Sequence, residues 1–225
     1  MKTKYKISLC LILFFLICGL TLSACSFNLA TKVKQNISEL AEELFFGEND
    51  DTFVTITSGF REQPFEYDGV CNESVDFCVV DVVFKTSNPL SEIDAQIIIN
   101  DTPHQITLEK NPFKSSFMFD LQKSIDASDH ISFVFNEKQI DLTCKSKDFS
   151  INFEKALNIG IENTLEKLEN LTSRGHFKGE CYLKIINNPL QNSKLFYWFF
   201  SVKGQDGSTF SVIIDPNTGS VLAKY

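Results

Sequence analysis

Between Thr52 and Cys144 the apolar residues fall on alternate positions, in short runs separated by turn-forming residues. No other feature of the chain limits its fold so tightly, because a period of two places one set of side chains on one face of a strand. The runs are Phe53 to Thr57, Phe77 to Phe84, Asp94 to Ile99, Gln105 to Leu108, Ser116 to Phe119, Ile131 to Phe135 and Gln139 to Thr143. About seven short strands over roughly 95 residues predict an antiparallel β-sandwich of immunoglobulin-like kind. Such an architecture serves many unrelated ends and licenses no function by itself.

The period changes on either side of this stretch. Upstream, Val33, Ile37, Leu40, Ala41, Leu44 and Phe45 recur at helical spacing, with Glu39, Glu42 and Glu43 on other faces, which predicts an amphipathic helix over Thr31 to Phe46. Downstream, Phe153, Leu157, Ile161, Leu165, Leu168 and Leu171 form one stripe of a second helix that Gly175 can end. Strands are expected from Phe177 to Ile186, Lys194 to Lys203, Thr209 to Ile214 and Ser220 to Tyr225. The turn Asp215-Pro216-Asn217-Thr218-Gly219 joins the last two, its proline setting the bend and its glycine free to take positive φ. A helix before an antiparallel meander makes a small α+β unit. The expected division is a leader over 1–24, a tether with its helix over 25–50, a sandwich over 51–147 and the α+β unit over 148–225.

Residues 1–24 read as an export signal. Lys2, Lys4 and Lys6 form a cationic start, and the apolar run from Ile7 to Leu20 is shorter than the ~20 residues of a comfortable membrane span. At its end Leu22-Ser23-Ala24-Cys25 resembles the lipobox of bacterial lipoprotein precursors. That resemblance implies a diacylglycerol group on Cys25, cleavage before it, and a protein held by its lipid on the outer face of the cell membrane. Ser26 stands where aspartate is associated with inner-membrane retention.

A second resemblance lies at the other end. The stretch Ser208 to Val221, with Asp215-Pro216-Asn217-Thr218-Gly219 between two apolar strands, is similar to the last hairpin of PepSY-type domains, over about Ser150 to Tyr225. Such domains are associated with binding and restraining peptidases in exported proteins. The resemblance implies a non-enzymatic recognition role with an envelope protein or peptidase as partner.

Composition narrows the chemistry. Losing the leader takes the formal charge from −8 to −11, which excludes nucleic acid as the expected partner, since binding it needs a concentrated basic face. The 22 phenylalanines supply apolar area for real cores. Cys71, Cys78, Cys144 and Cys181 are disulfide candidates in an exported chain, with the connectivity open. Cys71 with Cys78 would close a local loop and leave Cys144 with Cys181; Cys78 with Cys144 would bridge two sheets, although the companion tryptophan and tyrosine of immunoglobulin domains are missing. Their spacing suits no metal, and no cofactor motif or catalytic constellation is present.

His104, His130 and His176 are scattered, and the acidic pairs Glu66 with Asp68 and Glu73 with Asp76 are ordinary for an acidic surface. On the strand Phe196-Tyr197-Trp198-Phe199-Phe200, the residues Phe196, Trp198 and Phe200 share one face. That face is either packed against the rest of the chain or is the recognition face, with Trp198 as anchor. The rival expectation is a small-molecule or glycan-binding lipoprotein, whose pocket would use residues such as Trp198 and Tyr182. A hydrolase with an unrecognised site is the third.

Overall fold

The computed structural model describes residues 29–66, 68–86, 88–187 and 195–225. The leader, the lipobox with Cys25, and Ser26 lie outside the described residues. Residues 29–34 form a short helix, α1, and strand β1 follows at Ile37–Glu48. The long helix expected over Thr31 to Phe46 is therefore mostly strand. The physical reason is that β1 is buried on both faces: Leu40 and Leu44 enter one core while Phe45 enters another. A strand with two buried faces loses its clean alternation, and its apolar spacings of three and four imitate a helix. A register shift between Ala41 and Glu43, the mark of a β-bulge, further blurs the period.

Seven strands follow: β2 (Thr52–Glu62), β3 (Ser74–Phe84), β4 (Glu92–Ile99), β5 (Thr102–Lys110), β6 (Phe117–Leu121), β7 (Ile131–Phe135) and β8 (Lys138–Cys144). They pair antiparallel in the order β1-β2-β3-β6-β5-β4-β7-β8, and β8 pairs back on β1 through Phe45 with Cys144 and Phe46 with Thr143. The result is a closed eight-stranded barrel, and the expected immunoglobulin-like sandwich is overturned. The seven runs read from the sequence fall on these strands, save that Ser116 of the fifth lies just before β6. What that reading lacked was the eighth: with β1 taken for a helix the strands leave open edges, and with β1 in place the sheet closes and its edges vanish.

The period of two then has a plain meaning. Val54, Ile56, Val80, Val82, Ile97, Leu108 and Phe133 point into the barrel and are fully buried. Their neighbours Asp94, Gln96, Ser132 and Asp141 lie towards solvent. The interior is packed with side chains, as expected when a barrel has about eight strands.

After β8 the chain makes a 3-10 turn at Ser146–Asp148 and two helices, α2 (Phe153–Asn163) and α3 (Leu165–Asn170). Asn152 caps α2, its side chain accepting the Lys155 N–H at 3.1 Å. The expected single stripe breaks at Thr164, whose hydroxyl donates to the Gly160 carbonyl at 2.8 Å. A small hairpin, β9 (Thr172–Ser173) with β10 (His176–Phe177), leads into the meander β11 (Gly179–Asn187), β12 (Phe196–Gly204), β13 (Thr209–Ile214) and β14 (Val221–Lys224). Gly219, at φ +73°, closes the last turn and donates its N–H to the Asp215 carbonyl at 2.9 Å. The Asp215 carboxylate accepts the Thr218 and Asn217 N–H groups, which holds it below the usual carboxylate range.

The meander is not a separate PepSY-like unit beside a sandwich. Its first strand, β11, pairs in parallel with β1, Leu40 opposite Leu183 and Ala41 opposite Lys184, so one sheet runs from the meander into the barrel. β1 gives its first half to β11 and its second half to β8, with β2 along its other side throughout. A second core fills the space between β11 to β13 and the helices, built on Leu40, Leu44, Leu157, Ile161, Leu168, Leu183, Trp198 and Phe200.

Candidate functional site

The place where β1 leaves the meander for the barrel is a seam, and among the described residues it holds the two buried carboxylates of the chain. Ser38 on β1, Glu62 at the end of β2 and Glu180 on β11 are all buried, Glu180 without any exposure. A buried carboxylate is costly unless donors surround it. Glu62 accepts from the Ser38 hydroxyl at 2.7 Å and from the Asn72 backbone and side-chain N–H groups at 2.8 and 2.9 Å. Glu180 accepts the Asp68 and Gly69 N–H groups at 3.1 and 2.8 Å and the Tyr182 hydroxyl at 2.8 Å. The two acids therefore act as anchors for the β2–β3 connection, residues 63–73, of which Tyr67 lies outside the described residues. Asn36 adds a third anchor, donating to the carbonyls of Gly69 and Gly179 at 2.9 Å each, and Gln205 donates to the Asp68 carbonyl.

The anchored connection forms one wall of an open cleft of about 320 Å³, lined by Ser38, Glu39, Arg61, Glu62, Gln63, Phe65 and Tyr182. Phe65 is 57% exposed, with its ring 6.4 Å from that of Tyr182. Burial, together with the hydrogen bond and charge of Glu180, raises the Tyr182 phenol well above its ordinary value, so it serves as a neutral donor. Glu39 pairs with Lys184 at 3.1 Å, and Arg61 pairs with Asp120 while lying 5.1 Å over the Phe77 ring. The second Asp120 oxygen, Oδ1, is buried without a hydrogen-bond partner. The cleft thus offers an aromatic edge, hydroxyls, carboxylates and a guanidinium around a space the size of a small ligand.

The residues singled out in the sequence fall elsewhere, with one exception. Phe196, Trp198 and Phe200 are core residues under the helices: Trp198 donates its indole N–H to the Ile151 carbonyl at 2.8 Å, and Phe149 meets it edge-on at 6.1 Å. They present no face to a partner. Among the described residues the four disulfide candidates all carry free thiols. Cys78 and Cys144 lie in the barrel core, Cys181 in the helix-side core and Cys71 half-buried at the seam. Cys144 and Cys181 thus sit in different cores, which removes the staple between them. Burial, then Asp120, pushes the Cys78 thiol up to about 12, and burial also raises Cys144, so neither is a nucleophile at neutral pH.

His130 and His176 are exposed and His104 half-buried, on separate strands or loops; Glu66, Asp68, Glu73 and Asp76 are exposed. Among the described residues no group of three or more His, Cys, Asp or Glu side chains could hold a metal ion, and no helix is long and apolar enough to cross a membrane. The exception is Tyr182, which does line the cleft. Ser38, Glu62 and Glu180 went unnoticed, because an acid at a strand end looks like any solvated acid until its neighbours in space are known.

No family model, curated protein or solved structure matches this chain.

Proposed function

We propose that this protein is an extracytoplasmic lipoprotein, anchored through acyl chains on Cys25, that binds a small polar ligand with an apolar face, of the glycan kind, in the seam cleft. The observation that carries the reading is the built floor of that cleft. Ser38, Glu62, Glu180 and Tyr182 are fixed by one another before any ligand arrives, beside the exposed Phe65 ring. A sugar ring stacks on an aromatic edge and bonds to carboxylate, amide and guanidinium groups, and Phe65, Glu39, Gln63 and Arg61 supply these. Pre-organisation keeps the ordering cost of binding low.

Saturation-transfer NMR of the purified chain against a panel of cell-wall and host oligosaccharides tests it. The expected result is transfer to at least one member, with Phe65→Ala weakening it roughly tenfold, the loss of one aromatic contact. Transfer to none, or transfer that Phe65→Ala and Glu39→Gln both leave unchanged, overturns the reading.

One observation favours protein recognition as a second reading. Leu90 is 54% and Phe113 93% exposed, on connections that touch through the Lys110 N–H and the Ser91 carbonyl at 3.0 Å. The strand register places both at the barrel end away from the cleft. Loss of a crosslinked envelope partner from a Phe113→Ser, Leu90→Ser variant that folds normally would support it; unchanged crosslinking would sink it.

A further inference from the structure

The chain is acidic as a whole, yet two stretches that meet in the fold carry cations and no carboxylate. Cys25 to Ser38 holds Lys32 and Lys34, and Leu171 to Gly179 holds Arg174, His176 and Lys178. Asn36 donates its side-chain N–H to the Gly179 carbonyl at 2.9 Å, and the Cys181 N–H donates to the Asn36 carbonyl at 2.8 Å, so the end of α1 lies against the entry to β11. Val33 and Phe177 enter the same helix-side core, while their neighbours Lys34 and Lys178 are exposed. Arg174 and His176 stand exposed on the β9–β10 hairpin, and the Lys178 N–H at its base donates to the Leu171 carbonyl at 2.9 Å. Among the described residues none of these five side chains takes part in an ion pair.

The place of this patch along the chain points to its occupant. Leu29 and Val33 are buried, so α1 is fixed to the body, and Cys25 lies four residues before Leu29. Four extended residues span at most about 14 Å. A lipid on Cys25, which the proposed function supplies and on which this inference rests, holds the patch close to the bilayer surface. From this placement we propose that Lys32, Lys34, Arg174 and Lys178 dock on the anionic headgroups of the membrane that takes the lipid, as a second and electrostatic anchor. Asp68 and Asp206 border the patch through the bonds of Gln205, and Glu169 ends α3 beside it, so its pull is short in range. Salt confines such an attraction to about 10 Å. The lipid brings the patch within that reach, and the patch then fixes which side of the protein faces the bilayer.

The full chain, purified in detergent, is reconstituted with vesicles of phosphatidylcholine alone or with added phosphatidylglycerol, pelleted, acetylated briefly at its lysines and peptide-mapped. On the anionic vesicles Lys32, Lys34 and Lys178 should label roughly fivefold more slowly than on the neutral ones, and the difference should vanish in about 1 M salt. Lys114 and Lys138, at the far end of the barrel, should label alike on both. A variant with Lys34→Glu and Lys178→Glu, both exposed positions, should still pellet and should lose the protection of Lys32. Equal labelling on the two vesicles, protection that extends to Lys114 and Lys138, or protection of Lys32 that survives the charge reversal overturns the proposal. A chain that pellets with neither vesicle overturns the lipid anchor along with it, whereas equal labelling of pelleted chain overturns the docking alone. Oligosaccharide binding enters neither readout, so the docking and the ligand reading fail separately.

Discussion

The barrel and the seam bury their side chains by opposite rules. Inside the barrel the lining is almost wholly apolar, and its residues are interchangeable in kind: Val, Ile, Leu and Phe on alternate positions of eight strands. At the seam, a few residues of β1, β2 and β11 bury two carboxylates, a serine and a tyrosine, each matched to a particular donor or acceptor. An apolar lining tolerates exchange as long as volume is kept, whereas a buried hydrogen-bond network fails when one member leaves. The difference separates what makes the chain fold from what gives it a site.

That contrast can be broken by experiment. Phe133→Ala, in the middle of the barrel, should cost about 3–5 kcal/mol in urea unfolding. Trp198, the one tryptophan, sits in the helix-side core, so its fluorescence reports the other region. If β1 welds the two, Phe133→Ala shifts the tryptophan transition and the circular-dichroism transition together; separate midpoints would mean that barrel and meander unfold apart.

Glu180→Ala should come next, at about 1–3 kcal/mol, because it strands two backbone N–H groups and the Tyr182 hydroxyl. Glu180→Gln keeps acceptor capacity and should recover much of the loss, which a simple loss of packing would not. Gly160→Ala tests the helix-side core: a Cβ there would lie 2.4 Å from the Phe200 ring, so a cost of about 1–3 kcal/mol from overpacking is expected.

The smallest effect has the opposite sign. Burial, then the charges of Glu43 and Asp126, raises the pKa of Glu42, so the folded state holds its proton more tightly than the unfolded one. The stability this contributes is present below the unfolded value and is lost as pH rises through the raised folded value. Glu42→Gln should therefore raise the melting temperature slightly at pH 7 and leave it unchanged at pH 4 and below, as thermal scans at the two pH values would reveal.

How far the sequence could be read follows from the same contrast. The strands from Phe53 to Thr143 were legible because most have one face buried in the barrel and polar residues interleaved on the other, and α2 because its stripe faces a single sheet. β1 was not, since its position between two cores removed the alternation that marks a strand. Closure of the barrel hung on that strand, which is why a sandwich was expected. Trp198 stood out as an aromatic anchor, yet an indole buried under a helix and bonded to Ile151 looks the same in sequence as one that awaits a partner. Glu62 and Glu180 were hidden among 29 acidic residues, and only the folded backbone singles them out.

The shared strand also sets a timetable. β1 is the first strand to emerge during synthesis, β8 arrives about a hundred residues later and β11 later still, so its outer edge waits unpaired while nearly the whole chain is made. A chain exported from its N-terminus would carry that open edge across the membrane, and its final fold would be sealed by the segment delivered last. Truncations that remove β11 should therefore leave the first half of β1 as a sticky edge beside a closed barrel, and a holding chaperone would find its target there.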